Sequence, residues 1–528
     1  MLLTFGQILD AHARLAPHRL GARDLERSLG FGEWNARARR LANALLGLGL
    51  AKGDRVAVLA YNRLEWAEIY AATAKAGLIA VPINFRLGAA EARFILEDCG
   101  AACVLAEDGL HRLIEEVRGA LGVAEDRYVH FGGPAPAGWR AYEDLVRDAA
   151  ETEPAVVVAD TDPWALMYTS GTTGKPKGVI RSHRGMAMVA LVTEIEVGIG
   201  RDDDALLVMP MCHANSLNFF CSFSYRGAAV TIYSRPSFDP AHALDVMERS
   251  GSTFTSLVPT HYVMLLAHAR GETRARDLGR MTKLMISSAP ARADTKREIM
   301  EMFPNSGLFE LYGSSEAGWV TMLHPHEQFT HLGTVGRECV GSAPVKLLDD
   351  DGNEVPDGTP GELFSCTPTT FEGYWNLPEK TAEAFRGAWC TVGDVAVRDA
   401  DGYLRLVDRK KNMIISGGEN IYPSEVEAVL GACETVKDVA VVGLPDDVWG
   451  ERVHAVVVLH DGATATEADL IAWCAERIAR FKRPRGVTFV SEDGIPRTAT
   501  GKVQHGVLRE SLVAAGRNAA RAVSRESA

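Results

Sequence analysis

The sequence lacks the features that mark membrane, secreted and nucleic-acid-binding proteins. None of its apolar runs approaches the length of a membrane span, so we expect no integral membrane segment. The N-terminus has neither a basic head nor a sustained apolar stretch, so we expect no signal peptide. Asp and Glu outnumber Lys and Arg by 69 to 56, and the formal net charge is −13. This balance argues against nucleic acid as a partner, because phosphate binding needs a basic surface.

Paired cysteines, repeats and low-complexity segments are absent as well. The nine cysteines are scattered without a C-x-x-C pair, so we interpret them as buried free thiols, a usage that fits a reducing cytoplasm. A chain of 528 residues is too long for one hydrophobic core, and it predicts two or more domains.

The stretch from Tyr168 to Val179, YTSGTTGKPKGV, is dense in hydrogen-bond donors. Glycines let a backbone turn its N–H groups towards an anion, hydroxyls add donors and lysines add charge. The apolar run Trp164–Tyr168 predicts a buried strand that ends in this stretch, which is where an α/β sheet usually binds its ligand. The predicted ligand is a polyphosphate, held by Thr169, Ser170, Gly171, Thr172, Thr173, Gly174 and Lys175.

A Walker-type phosphate loop is the nearest alternative, and the sequence departs from it at two positions. That motif needs G-x-x-x-x-G-K followed by Ser or Thr. Counting back from Gly174 and Lys175 places Thr169 where the first glycine belongs, and Pro176 stands where the hydroxyl residue belongs. The comparison disfavours a P-loop kinase or GTPase.

The periodicity of apolar residues predicts an α/β protein with two domains. Strands alternate with helices over residues 55–105 and 226–290, which predicts parallel sheets covered by helices. From about residue 332, short strands with glycine turns predict a β-rich subdomain. The charged run Asp408–Asn412 is the predicted linker. It separates a large N-terminal domain, residues 1–408, from a small, mobile α+β C-terminal domain, residues 409–528.

At the donor-rich loop the chain resembles the adenylate-forming superfamily of acyl-CoA synthetases, luciferases and peptide-synthetase adenylation domains. Tyr312-Gly-Ser-Ser-Glu316 is similar to the family's Tyr-Gly-x-Thr-Glu, with Ser315 in place of the usual threonine. The resemblance implies that Tyr312 stacks on adenine and that Glu316 holds Mg²⁺ together with Thr169. It assigns to the ATP site, besides the loop, residues Ser288, Ala289, Pro290, Tyr312, Gly313, Ser314, Ser315, Glu316, Asp394, Arg409 and Lys502.

Later motifs follow in the family's order. Gly393-Asp394 and Asp408-Arg409 resemble the positions that bond the ribose hydroxyls. Pro496-Arg-Thr-Ala-Thr-Gly-Lys502 resembles the motif that carries the catalytic lysine, so Lys502 is expected to bridge carboxylate and phosphate oxygens. Lys411 holds the hinge position, about which the small domain would rotate between two reaction steps.

The resemblance also implies a site for coenzyme A on the C-terminal domain. Gly417 and Gly418 match the loop that forms the pantetheine tunnel after rotation. Trp449, Phe481 and Arg483 resemble contacts that some aryl-CoA ligases make to the CoA nucleotide. A core Trp, a core Phe and a surface Arg are the alternative interpretation of these three.

The segment Met209–Phe220 aligns with the family's acyl pocket, and its His213 matches a histidine common in CoA ligases, counted here with the catalytic residues. Adenylation domains of peptide synthetases place an aspartate nearby for the amino group, and its absence argues against amino-acid activation. The polar residues of the segment favour a small, aromatic or polar-substituted acid, unless they point at backbone. The predicted pocket residues are His213, Asn215, Ser216, Asn218 and Trp319.

Together the resemblance implies an AMP-forming carboxylate–CoA ligase that uses ATP, Mg²⁺ and coenzyme A. The acid first attacks the α-phosphorus of ATP and expels pyrophosphate, and the CoA thiol then displaces AMP. Two alternatives stay open: an enzyme that loads an acyl group onto a carrier-protein phosphopantetheine, and a nucleotide-binding relative without turnover. The sequence also leaves open the acid and whether two copies form a homodimer.

Overall fold

The structure is a computed structural model that describes residues 3–169, 175–272, 276–287, 291–416, 419–446, 448–498 and 501–526, with side chains as far as residue 515. Its residues cluster into two compact units, Met1–Val345 with Ser365–Val392, and Lys346–Phe364 with Gly393–Ala528. The predicted linker near residue 408 falls within the second unit. The boundary of the moving domain therefore stays a prediction.

The helices follow the spacing of apolar residues. In Phe31–Gly47 the buried residues Trp34, Ala38, Leu41 and Leu45 recur at three- and four-residue intervals, which places them on one face of the helix. The α-helices are α1 (Phe5–Leu15), α2 (Phe31–Gly47), α3 (Glu65–Ala76), α4 (Ala89–Cys99), α5 (His111–Arg118), α6 (Tyr142–Asp148), α7 (His183–Val197), α8 (Ala214–Arg226), α9 (Pro240–Ser250), α10 (Pro259–Arg270), α11 (Ala293–Met302), α12 (Pro378–Glu383), α13 (Pro423–Gly431), α14 (Glu467–Ala475) and α15 (His505–Glu526).

The strands are short and mostly buried. They are β1 (Leu20–Arg23), β2 (Ser28–Gly30), β3 (Arg55–Leu59), β4 (Ile79–Ile83), β5 (Ala101–Glu107), β6 (Tyr128–Phe131), β7 (Arg140–Ala141), β8 (Pro163–Thr169), β9 (Lys177–Ser182), β10 (Asp204–Leu207), β11 (Ala229–Ile232), β12 (Phe254–Leu257), β13 (Lys283–Ser287), β14 (Gly307–Ser314), β15 (Gly318–Leu323), β16 (Arg337–Glu338), β17 (Lys346–Leu348), β18 (Gly361–Phe364), β19 (Gly373–Tyr374), β20 (Phe385–Arg386), β21 (Trp389–Cys390), β22 (Asp394–Arg398), β23 (Leu404–Arg409), β24 (Ile414–Ser416), β25 (Glu419–Ile421), β26 (Val436–Asp446), β27 (Gly450–Leu459) and β28 (Val487–Phe489).

Two large sheets organise the first unit. One has the order β19-β9-β8-β4-β3-β5-β6-β7, and the other has the order β16-β15-β14-β13-β12-β10-β11-β1-β2. Strands β3, β4, β5, β6 and β8 run parallel, and so do β10 to β14. Parallel strands covered by helices are buried on both faces, which explains their continuous apolar runs. The predicted parallel α/β architecture is confirmed.

Strand β8 enters the predicted phosphate loop and β9 leaves it. The two strands pair antiparallel, and their last ladder pair joins Thr169 to Lys177. Strands β13 and β14 pair in parallel, as expected for two strands that end beside one pocket. The two predicted nucleotide motifs thus begin at strand ends in the first unit, at Thr169 in β8 and at Ser314 in β14.

The second unit contains two smaller sheets. Strands β17-β18-β22-β23 form an antiparallel sheet, the β-rich part predicted from the glycine turns. Strands β25-β24-β27-β26, with β28 beside β27, form the other, and α13 and α15 both contact β26. This is the small α+β unit predicted at the C-terminus. Among the described helices, none combines the length and apolarity that a membrane crossing needs.

Candidate active site

Two residues from different sheets meet at the mouth of the phosphate loop. Thr169 is the last residue of β8, and Glu316 follows β14. The Thr169 Oγ1 hydroxyl donates a hydrogen bond of 3.4 Å to Glu316 Oε1. Only 9% of Glu316 is exposed. The predicted metal-binding pair is therefore brought together, with hard oxygen donors of the kind that Mg²⁺ prefers.

Two further residues complete this cluster: Lys177, which belongs to the donor-rich stretch, and Tyr374, which sequence reasoning missed. The Tyr374 hydroxyl, from β19, donates a hydrogen bond of 3.0 Å to the same Glu316 oxygen. The Lys177 ammonium lies 3.8 Å from the centre of the Tyr374 ring. Burial lowers the pKa of Lys177, while the charge of Glu316 acts in the opposite direction. The end of β8 thus lies beside one buried carboxylate, Glu316, and one half-buried cation, Lys177.

The Tyr312–Glu316 motif needs its glycine for close packing. A Cβ at Gly313 would lie 2.1 Å from the carbonyl oxygen of Gly318, so only glycine fits there. The Ser314 hydroxyl accepts a hydrogen bond of 2.9 Å from the backbone N–H of Ala317, which tightens the turn that presents Glu316. Tyr312 is 8% exposed.

A buried arginine donates hydrogen bonds to the backbone of this turn. Arg181, in β9, is 4% exposed, and one of its terminal nitrogens donates to the carbonyls of Ser315 (3.2 Å) and Thr369 (2.9 Å). Its other terminal nitrogen has no hydrogen-bond partner among the described residues. Burial lowers the pKa of the Arg181 guanidinium, against the opposing charge of Glu372. We interpret Arg181 as a positioning residue for the Glu316 turn.

The predicted acyl-pocket segment forms the start of α8, a helix that the sequence reasoning did not predict. His213 occupies the N-cap position, and its Nε2 is buried without a hydrogen-bond partner in the described structure. Burial lowers the pKa of His213 to about 4. The imidazole is therefore neutral near pH 7.

Of the three polar residues predicted in this helix, Asn215 and Ser216 donate hydrogen bonds within the protein, and Asn218 lines a cavity. Asn215 donates to the hydroxyls of Ser256 (3.0 Å) and Ser287 (2.7 Å). Ser216 donates to the backbone carbonyl of Met209 at 2.6 Å, so it points at backbone, as the alternative interpretation allowed. Asn218 instead lines a cavity.

Trp319 is a core residue of this region. It is 5% exposed, and its indole nitrogen donates to the Thr193 hydroxyl at 2.6 Å. Its ring lies 5.7 Å from that of Phe219, between centres. Trp319 therefore packs against α8 through its contact with Phe219.

In the second unit, the two predicted ribose-binding residues are neighbours. Asp394 and Arg409 face each other across β22 and β23, and Arg409 Nε lies 3.1 Å from Asp394 Oδ1. Lys502 directly precedes Val503, which forms an isolated antiparallel bridge with Arg497. The Thr498 N–H donates to the Lys502 carbonyl at 2.7 Å. These two contacts hold the backbone on either side of the predicted catalytic lysine.

The candidate CoA contacts differ in exposure. Trp449 and Phe481 are 42% and 39% exposed, so neither is a core aromatic. Arg485 lies over the Trp449 ring at 4.4 Å. Arg483 donates to the carbonyls of Ala475 (2.7 Å) and Ile478 (3.3 Å), at the end of α14.

Several predicted residues have no structural test here. Lys411 lies in a single 3-10 turn, Lys410–Asn412, directly after β23, and its hinge role stays a prediction. Lys175 lies 5.7 Å from the Phe94 ring centre. The predicted positions that lie outside the described residues are Ser170, Gly171, Thr172, Thr173, Gly174, Ser288, Ala289, Pro290, Gly417 and Gly418.

The fold and the side chains at its strand ends define a nucleotide-dependent enzyme of the adenylate-forming type, and comparison with known proteins agrees. The profile described as AMP-binding enzyme matches residues 9–375, and that of the AMP-binding enzyme C-terminal domain matches residues 425–502. A feruloyl-CoA synthase from an Amycolatopsis species is 36% identical, covering 94% of this chain and 96% of its own. The long-chain-fatty-acid–CoA ligase FadD13 of Mycobacterium tuberculosis is 33% identical, covering 92% and 93%.

Solved structures give the same result. The crystal structure of the anthranilate CoA ligase AuaEII in complex with anthranoyl-AMP aligns with a TM-score of 0.88 at 28% identity, covering 97% of this chain and 98% of that one. The chain belongs to the AMP-binding enzyme family. The predicted superfamily and fold class are confirmed, and so is the class of enzyme, an AMP-forming acid–CoA ligase.

Proposed function

We propose that this protein is an AMP-forming carboxylate–CoA ligase whose substrate is a small aromatic acid. One observation carries the proposal. Ser314 and Ser315 of the nucleotide motif and Leu217 and Asn218 of α8 line one small cavity, about 10 Å³ in volume, so the two predicted sites adjoin. Adenylate formation requires the acid and the α-phosphate to meet, and adjacent sites supply that proximity.

The lining of the cavity supports the choice of acid. Its apolar part consists of Met167, Met186, Ala214 and Leu217, and the flexible methionine side chains can repack to admit a ring. Asn215 and Ser216 already donate hydrogen bonds within the protein, so these donors are not available to a substrate. The polar residues that line the cavity, and are left to contact a substrate, are Arg181, Asn218, Ser314 and Ser315.

The first half-reaction needs charge stabilisation rather than a general base. The carboxylate oxygen attacks the α-phosphorus, the bond to pyrophosphate breaks, and negative charge builds on phosphoryl oxygens. Preorganised cations and N–H donors stabilise such charge most effectively. Lys177 supplies a cation beside the loop, and Lys502 is the proposed bridge between the carboxylate and phosphate oxygens.

The Thr169 hydroxyl and the Glu316 carboxylate fit Mg²⁺, because both are oxygen ligands and Glu316 is nearly buried. When bound there, Mg²⁺ would neutralise charge on the phosphates. Tyr374 orients the carboxylate, since its hydroxyl bonds the same oxygen as Thr169.

The second half-reaction uses the second unit. The CoA sulfur attacks the acyl carbon, and the bond to AMP breaks. The exposed rings of Trp449 and Phe481 are the proposed contacts to the CoA nucleotide, and rotation about Lys411 is the proposed means of bringing them into use. The nine cysteines are free and seven are buried, which supports the predicted reducing, cytoplasmic location.

The test is a panel of acids assayed by AMP release and by identification of the CoA thioester. The arms are benzoate, cinnamate and arylacetate acids, a short aliphatic acid and palmitate, each with CoA and each with a phosphopantetheine carrier protein. The proposal predicts the highest kcat/KM for an aromatic acid with CoA. A higher kcat/KM for palmitate would contradict the proposed aromatic acid substrate. Acyl transfer to the carrier protein alone would contradict coenzyme A as the acceptor thiol.

A further inference from the structure

Three side chains that can bind a metal converge at the ends of β5 and β6, apart from the residues discussed above. Asp108 directly follows β5, His111 begins α5, and His130 lies in β6. One carboxylate oxygen and two imidazole nitrogens, one atom from each residue, all lie within 4.8 Å of one another.

The separations are close to those of a metal site. His130 Nε2 lies 3.3 Å from Asp108 Oδ1, and His111 Nδ1 lies 3.8 Å from the same oxygen. Ligands about 2.0–2.2 Å from a tetrahedral Zn²⁺ are about 3.3 Å apart. One pair already has that spacing, a second is 0.5 Å longer, and the two imidazole nitrogens lie within 4.8 Å of each other.

The surroundings hold the histidines in place and leave one side open. His130 is 1% exposed, and its ring meets the rings of His111 and Trp139 edge-on, at 4.9 and 6.2 Å between centres. The Asp108 side chain is 55% exposed, which gives an ion a path from solvent and leaves room for a water ligand. The cluster is thus rigid on its inner side and accessible on its outer side.

The Nδ1 atom of His111 is available to bind an ion. This atom is buried, yet it has no hydrogen-bond partner in the part of the chain that the structure describes. Leaving a buried polar atom unsatisfied is unfavourable, and an ion would satisfy it. This nitrogen is one that could contact an ion held by Asp108 and His130.

We propose that Asp108, His111 and His130 bind one divalent transition-metal ion, with Zn²⁺ as the best match, and water as the fourth ligand. Two imidazoles and one carboxylate suit Zn²⁺, whereas Mg²⁺ prefers oxygen ligands alone. The ion links β5, α5 and β6, which are consecutive in sequence. In the sheet order, β5 is three strands from β8, or about 14 Å at the usual strand spacing, so the site is distinct from the phosphate loop.

The experiment is a Zn²⁺ titration of the metal-stripped, full-length protein without nucleotide, by calorimetry in competition with a chelator of known affinity. Variants Asp108→Asn, His111→Asn and His130→Asn each remove one ligand. His268→Asn is the matched control, because His268 also contacts a carboxylate, Glu272, at 3.3 Å. Changes around bound metals cost roughly 10–100-fold even beyond the ligands, so each ligand variant should weaken Zn²⁺ binding at least about tenfold.

Co²⁺ in place of Zn²⁺ adds a spectroscopic test. Visible ligand-field bands without thiolate charge transfer are expected, together with quenching of Trp139 fluorescence that Trp139→Phe removes. Stoichiometric binding that is lost in the ligand variants and kept in His268→Asn supports the site. Absence of binding to the wild type, or equal binding to all variants, overturns it. If His130→Asn does not fold, the exposed Asp108→Asn variant decides the question.

Discussion

Removal of the Tyr374 hydroxyl tests the proposed Mg²⁺ site at Thr169 and Glu316 most selectively. In Tyr374→Phe the ring stays and the 3.0 Å hydrogen bond to Glu316 Oε1 is lost. Tyr374 and Glu316 are 7% and 9% exposed, so water cannot readily replace the donor. The carboxylate then keeps the weaker 3.4 Å contact from Thr169 and loses its fixed orientation.

The size of the effect follows from the charge on the acceptor. A hydrogen bond to a charged group contributes roughly 1.5–3 kcal/mol. At about 1.4 kcal/mol for each factor of ten, adenylation should fall about tenfold to a hundredfold at limiting Mg²⁺ and ATP. The loss should shrink as Mg²⁺ is raised, because excess metal compensates for a poorly oriented ligand.

The assay is ATP–pyrophosphate exchange measured across a Mg²⁺ titration, with urea unfolding on the same samples. Tyr142→Phe is the control, because the Tyr142 hydroxyl also donates to a buried carboxylate, Glu68 Oε2, at 2.6 Å. Both variants should lose a similar free energy of unfolding, about 1–3 kcal/mol. Only Tyr374→Phe should lose exchange activity. A Tyr374→Phe enzyme with wild-type Mg²⁺ dependence would refute the assignment of Glu316 as a metal ligand.

Four further predictions address the other parts of the account. Lys502→Ala should slow adenylation by on the order of 10²-fold while sparing thioester formation from presynthesised acyl-AMP, and equal losses in both steps would contradict two conformations. Asp394→Ala should raise the KM for ATP about tenfold to a hundredfold and leave the KM for CoA nearly unchanged; unaltered ATP dependence would remove Asp394 from the site. Lys411→Pro should keep adenylation within roughly tenfold and slow CoA-dependent consumption of acyl-AMP by on the order of 10²-fold, whereas wild-type rates in both would exclude a hinge there. Burial lowers the pKa of His183 to about 4, from an ordinary 6.5, so the unfolded state takes up a proton that the folded state does not, and stability is lost as pH falls from 6.5 towards 4. His183→Phe should remove up to about 2.4 kcal/mol of that loss between pH 7 and pH 4.5, measured by urea unfolding at both values. An unchanged dependence of the free energy of unfolding on pH would contradict this.

Elements with clear end signals could be located from the sequence. The end signals of helix α9 stand in the sequence itself: Asp239 caps its first turn, Pro240 opens it and Gly251 ends it with φ +73°. Helix α8 was missed for the opposite reason. Its residues from Ser216 to Ser224 are buried on all sides, so no amphipathic stripe marks it.

The sequence motifs located the residues predicted to contact ATP, such as Thr169 and Glu316. They did not locate Tyr374 and Arg181, which position those residues. Tyr374 and Glu316 are 58 positions apart, and Arg181 and Thr369 are 188 apart. Such contacts depend on how sheets pack, which no local pattern reports. The orientation of Ser216 likewise depends on tertiary structure, since its hydroxyl serves a backbone carbonyl seven residues earlier.

The measurement that bears most directly on the central claim is the fate of carboxylate oxygen. An aromatic acid labelled with ¹⁸O in its carboxylate is converted with ATP and CoA, and the products are analysed by mass spectrometry. Attack on the α-phosphorus followed by thiol displacement predicts one labelled oxygen in AMP and unlabelled pyrophosphate, with one thioester formed per AMP. Label in orthophosphate, with ADP as the nucleotide product, would contradict an AMP-forming ligase.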